Sequence, residues 1–272
     1  MKKTILSLFL LCSANSFSQI IISPYILYTD TKNKFGTFLV QNESDQPYEI
    51  DISFIFGYPI TDSFGNATME YIERPDSSMA SATKWIRAFP RKFLIGPGER
   101  QKVRMTVNPP TDIPPATYWS RIVTSATAQS PSVDTLSEGI RAEIKFVLNQ
   151  ITTLLYRVDP TTTGIEVNNF YAEIDSGDVN IYTKLTRTGN SPFFGDAIVS
   201  IRDSSSEVVG EEKLSVSNYF ELVKKFQFPL EKFKSGDYSI ELKVVLNEKE
   251  VFPESTLIPI PPILESLTLT VP

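Results

Sequence analysis

The 272-residue chain has no histidine, and its one cysteine is Cys12. These two shortages exclude Ser-His-Asp and Cys-His nucleophilic sites, and zinc sites built on imidazole or thiolate. An excess of positive charge is also missing. The 26 Lys and Arg residues stand against 32 Asp and Glu, so the chain offers no net basic surface to a phosphate backbone. Beyond the N-terminus no segment reaches the ~18 uninterrupted apolar residues that a helical membrane span needs. The acid-rich loops lack the D-x-D-x-D-G pattern of a calcium site. Gly96-Pro97-Gly98 opens like a G-x-G-x-x-G loop, yet the sixth residue is Gln101 and strand-like sequence follows. What is present is 41% hydrophobic residues, 11% aromatics and 19 prolines. That composition describes a folded chain with many interruptions, suited to binding or structure, with no cofactor expected.

Residues 1–18 read as a secretory signal. Lys2 and Lys3 supply the positive start, Ile5 to Cys12 the apolar core, and Ser16-Phe17-Ser18 a small-x-small cleavage site, which puts the mature start at Gln19. An apolar run of about eight residues is too short to cross ~30 Å of hydrocarbon. Cleavage removes Cys12 and two lysines, leaving 24 basic and 32 acidic residues, a net charge of −8. The exported chain then has no disulfide available as a staple.

From residue 20 onward short alternating runs are broken by turn residues, which predicts β-sandwiches and little helix. Phe38 to Val40 follows Gly36, and Ile50, Ile52, Phe54 and Phe56 share one face of a strand. Val103, Met105 and Val107 follow the turn Gly96-Pro97-Gly98. Tyr118 to Thr124 and a long run from Ile140 to Tyr156 come next. The polar segment Val158 to Gly164 marks a boundary, giving a first domain over 19–158 and a second over 159–272. In the second, strands are expected at Asp178–Leu185, Ala197–Ile201, Tyr219–Phe228 and around Ile240, Leu242 and Val244. Tyr238, just after Gly236-Asp237, matches the tyrosine corner of immunoglobulin-like sandwiches. The expected fold class is all-β, two tandem immunoglobulin-like sandwiches after a signal peptide. The tail Ile258 to Ile263 reads either as an edge strand or as an extension.

Several short motifs of the first domain keep a common order and spacing. They are Ser23-Pro24, Gly36 to Asn42 with Asp45 and Pro47, Pro90 to Phe93, Pro97 to Arg104, Tyr118 to Ile122 and Leu154 to Arg157. In these, residues 20–160 resemble the periplasmic chaperones of pilus and fimbrial assembly. The resemblance implies a non-enzymatic periplasmic holdase whose partners are incomplete immunoglobulin-like pilus subunits, and an outer-membrane usher. Capture would be by strand addition, for which the handled subunits lack a strand of their own. It places the donor residues at Ile144, Phe146 and Leu148, with Arg141, Glu143 and Lys145 alternating. Where the family carries a lysine that grips the subunit's terminal carboxylate, this chain has Thr153; near the family's first-strand arginine it has Tyr25 and Ile26. A hydroxyl cannot supply the charge-assisted contact of a lysine.

From the residues alone, positions i, i+2 and i+4 share a strand face. Ile144, Phe146 and Leu148 are therefore either donor residues or part of the domain's own core. Arg157, beside the linker, is either an interdomain contact or a surface arginine, and Trp85 and Trp119 read as packing aromatics. Ser81-Ala82-Thr83-Lys84 fits S-x-x-K and Lys234-Ser235-Gly236 fits K-[ST]-G, but these lie in strand-and-turn sequence of different domains. The carboxylates Asp62, Glu70, Glu73 and Asp76 have no spacing that demands a shared site and read as solvated charge. The rival to a chaperone is an exported structural or adhesive protein using both sandwiches as spacers or binding modules.

Overall fold

The computed structural model describes residues 20–129, 146–247 and 261–272. The expected signal, residues 1–18, the donor-set residue Ile144, and Arg141, Glu143 and Lys145 lie outside the described residues. Ten strands form the first sandwich: β1 (Ile20–Ser23), β2 (Ile26–Asp30), β3 (Phe35–Asn42), β4 (Tyr48–Thr61), β5 (Ala67–Ile72), β6 (Ile86–Phe89), β7 (Lys92–Ile95), β8 (Arg100–Val107), β9 (Ala116–Ala128) and β10 (Val147–Val158). One sheet runs β1-β3-β8-β6; the other runs β2-β10-β9-β4-β5, with β7 also pairing β4. The chain changes sheets between β1 and β2, at Ser23-Pro24.

The second sandwich holds β11 (Ile165–Asp175), β12 (Asp178–Arg187), β13 (Phe193–Arg202), β14 (Val208–Asn218), β15 (Glu221–Pro229), β16 (Gly236–Leu246) and β17 (Ile263–Val271). Its sheets are β11-β12-β15 and β14-β13-β16-β17. Among the described residues the one helical element is a 3-10 turn at Leu230–Lys232. No helix among them is long and apolar enough to cross a membrane. The fold is two tandem immunoglobulin-like sandwiches. Of the tail Ile258 to Ile263, residues 258–260 lie outside the described residues, 261–262 are in no strand, and Ile263 opens the edge strand β17, antiparallel to β16.

Each core follows from period-two alternation, since every second side chain of a strand faces inward. Phe38, Val40, Ile50, Ile52, Val103, Met105, Ile122, Leu154 and Tyr156 meet in the first core. Val179, Ile181, Val199, Phe226, Ile240 and Leu242 meet in the second. Two sequence expectations shift. Phe56 leaves the face it was grouped with, because pairing of β4 with β9 stops at Ile55 and Phe56 instead stacks on Trp119, ring centres 5.0 Å apart. Tyr219 and Phe220 precede β15 rather than opening it; their rings are drawn into the contact between domains.

Both domains carry a tyrosine corner. The Tyr238 hydroxyl donates to the Lys234 carbonyl and accepts the Lys234 N–H, each at 2.9 Å. In the first domain Tyr118 donates to the Pro114 carbonyl at 3.0 Å, a corner hidden from sequence reading by the proline-rich run ahead of it. Tyr238→Phe leaves the ring in place and strands both Lys234 groups. It should lower stability by about 1–2 kcal/mol, visible as a lower urea midpoint with unchanged m-value; an unchanged midpoint would show the corner to be energetically idle.

Candidate functional site: an open strand edge and a buried arginine

The strand β10 is paired along its whole length on one side, where Val147 to Val158 match Thr127 to Ala116 of β9. On the other side pairing is partial. Only Thr153 to Arg157 lie against β2, as a parallel ladder from Ile26 to Asp30, closed at its start by the Thr153 N–H donating to the Tyr25 carbonyl at 2.9 Å. Residues 147–152 therefore present one free backbone edge among the described strands. Near it the Gln150 amide reaches the Ile20 carbonyl at 2.6 Å.

Side chains on this stretch are apolar and exposed. Phe146 is 81% exposed, Leu148 40%, and Val147 and Ile151 about half. Phe146 and Leu148 have the parity of Leu154 and Tyr156, which are buried in the first core. The same face of β10 thus runs from packed core to open apolar surface. A free, apolar strand edge is a template for pairing with another chain.

Beyond residue 152 the opposite face of β10 turns into the space between the domains. Thr153 is buried there, and its hydroxyl accepts a short hydrogen bond from the Arg121 guanidinium. Arg121, on β9, is also buried. Its Nε donates to the Gly57 carbonyl at 3.0 Å, and its guanidinium lies 4.8 Å from the centre of the Tyr219 ring. Burial pushes the Tyr219 phenol up, with Arg121 pulling in the opposite direction. The Gly57 carbonyl receives a second donor, the Trp119 indole N–H, at 3.0 Å. Around this polar group Phe56, Trp119, Leu155 and Tyr219 are fully buried together.

Arg157, the sequence candidate for an interdomain contact, is buried, and desolvation lowers its pKa. The charges of Tyr28, Asp159 and Asp30 act in the opposite direction. Hydrogen bonds across the interface are made by Asn190, Ser191 and Val223. The Asn190 amide donates to the carbonyls of Pro115 (2.9 Å) and Pro160 (3.1 Å), while its oxygen accepts the Thr162 N–H at 2.7 Å. Thr117 and Ser191 share a hydroxyl hydrogen bond of 2.7 Å. The β4–β5 hairpin reaches the second domain, where the Val223 N–H donates to the Thr61 hydroxyl at 2.6 Å. Beside it lies a cleft of about 390 Å³ bordered by Asp62, Tyr171, Tyr182 and Lys184.

Arg121 and Asn190 were missed by sequence reasoning. For Arg121 a signal existed: a charge in the otherwise uncharged run Tyr118 to Val123. For Asn190 there was none, since Gly189-Asn190-Ser191 reads as any polar turn. Of the four carboxylates, Asp62 and Asp76 serve turns. Asp62 accepts the N–H groups of Phe64 and Asn66 and the Asn66 amide, chiefly the last of which lowers its pKa. Asp76 similarly holds Ser78. No group of three or more potential metal ligands occurs among the described residues.

The fold and the open edge define a two-sandwich β-protein in which residues 147–152 of β10 are paired on one side only among the described strands. Solved structures similar to this chain are pilus chaperones and their complexes. One is a chain of the CsuC-CsuE chaperone–tip adhesion subunit pre-assembly complex from archaic chaperone-usher Csu pili of Acinetobacter baumannii, with 12% identity, TM-score 0.44, and coverage of 91% of this chain and 97% of that one. The CupB2 chaperone of Pseudomonas aeruginosa has 8% identity, TM-score 0.41, and coverage of 92% and 100%. A chain of the SafA pilin–SafB chaperone complex of Salmonella enterica has 12% identity, TM-score 0.43, and coverage of 93% and 99%. No protein-family model and no curated protein matches the chain.

Proposed function

We propose that this protein is a periplasmic chaperone that holds incomplete immunoglobulin-like subunits of a pilus or related surface structure by strand addition along β10, and delivers them for assembly at an outer-membrane usher. The carrying observation is the free edge of residues 147–152 flanked by the exposed apolar side chains of Phe146 and Leu148. A subunit lacking a strand exposes backbone donors and acceptors beside an apolar groove. The β10 edge answers both, with backbone groups for the ladder and alternate side chains for the groove. The anchored half, paired on both sides at 153–157, holds the free half extended, so little ordering cost falls on binding. Beside Thr153 the cation is Arg121, which stands on β9 rather than at residue 153 and is buried.

Co-purification of the mature chain with candidate exported subunits tests this reading. A one-to-one complex is expected with the native chain. Burial of each large apolar side chain is worth ~1.5–3 kcal/mol, so Phe146→Asp combined with Leu148→Asp should weaken capture by roughly 100-fold or more. Neither side chain belongs to a core cluster, so the urea midpoint of the double variant should match the native one. Capture at native strength by this folded variant would overturn the proposal.

A further inference from the structure

The outward face of the sheet β1-β3-β8-β6 carries the sign of charge opposite to that of the chain. Val103, Met105 and Val107 of β8 point into the core, so Arg100, Lys102 and Arg104 point out, and all three are exposed. The strand β6 adds exposed Arg87 and Phe89, the latter 79% exposed, and β3 adds Phe35 at 48%. The register sets Arg104 between Thr37 and Phe89, and its guanidinium lies 4.4 Å from the centre of the Phe35 ring. The outward positions of these four strands include no Asp or Glu. The acid next in sequence, Glu99, is folded back to accept the Gly96 N–H at 2.7 Å.

On a chain of net charge −6 this is a segregation of sign. A face that only needs solvation is served by mixed signs. Arginine and large aromatics together are the composition enriched in protein interfaces. We propose that this face docks an acidic, extended segment of a partner protein, with carboxylates at alternate positions. Successive outward residues of β8 are spaced by about 6.8 Å, the distance between alternate side chains of any extended strand. Three of the four cations are arginines, whose planar fork takes a carboxylate through two parallel hydrogen bonds and stacks on rings. A partner of fixed strand period matches that row better than a fluid layer of lipid headgroups does. The sheet does not contain β10, so the β10 edge stays free when this face is occupied.

The mature chain is titrated with a synthetic peptide in which Glu alternates with Val, with a peptide of the same composition carrying its Glu residues in one block, and with vesicles of mixed phosphatidylglycerol and phosphatidylcholine. The alternating peptide should bind, shift amide resonances of β3, β6 and β8, and lose about tenfold in affinity between about 50 and 200 mM salt. The triple variant Arg100→Glu, Lys102→Glu, Arg104→Glu should lose at least about 30-fold. Arg104→Gln alone, a milder change, should lose severalfold and serves if the triple variant does not fold. Equal binding of the blocked peptide, binding of vesicles without the alternating peptide, or undiminished binding by a folded variant would each overturn the proposal.

Discussion

Trp119→Ala is expected to lower the stability of the protein by about 3–5 kcal/mol, the range for removing a buried large aromatic. Trp119 is fully buried although it lies on the face of β9 directed away from the first core. Its ring stacks on Phe56, meets Tyr219 at 4.9 Å and Phe220 at 5.8 Å, and its indole N–H holds the Gly57 carbonyl. The substitution therefore opens a cavity at the junction of both domains, with Tyr219 and Phe220 coming from the second. Two effects are expected together: a lower urea midpoint, and a larger radius of gyration in solution scattering as the domains lose their shared contact. The remaining tryptophan, Trp85, is half-buried on the first core, and Trp85→Phe provides the comparison, with a smaller loss and unchanged scattering. If Trp119→Ala moves neither observable, the aromatic cluster does not couple the domains.

What was legible in the sequence was whatever alternation could express. The inward rows of β3, β8, β13 and β16 and the Tyr238 corner could be read because each depends on neighbours in sequence or on a period of two. The strand Tyr118 to Thr124 was legible as a strand, but its double burial was not. One face of β9 meets the first core and the other meets Trp119's partners, and that second cover comes from residues 100 positions away in the chain, Tyr219 and Phe220. The same long range hid Asn190, whose partner Pro115 is brought to it from the other domain, 75 positions earlier in the chain. For the candidate site, the apolar alternation at Phe146 and Leu148 was visible. Whether those residues face a core or solvent was not, because parity continues unchanged from Leu154 and Tyr156 while the sandwich beneath comes to an end.

Thr153→Lys restores the residue type that the chaperone resemblance implies at this position, and it is expected to destabilise this chain by about 3 kcal/mol near pH 7. The physical reason is Arg121. Its guanidinium already donates to the residue 153 side chain, in a buried site where no described carboxylate forms an ion pair with it. Two unit charges about 4 Å apart repel by roughly 4 kcal/mol at an effective dielectric near 20, and the hydroxyl acceptor for Arg121 is lost as well. Folding must then either confine two cations or leave the new lysine neutral, so its folded pKa falls below the unfolded value of about 10.4. The sign of the pH dependence follows. Above about pH 10.4 the lysine is neutral in both states and the charge penalty is absent. As pH falls from there toward the folded pKa, the unfolded state takes up a proton that the folded state does not, and stability drops by up to about 1.4 kcal/mol per pH unit. Thr153→Met controls for bulk and should show a smaller, pH-independent loss relative to the native chain. Adding Arg121→Met to Thr153→Lys should recover stability relative to Thr153→Lys alone, giving a favourable coupling in the double-mutant cycle. If Thr153→Lys is as stable as Thr153→Met at pH 7, Arg121 is not the charge that occupies this cleft.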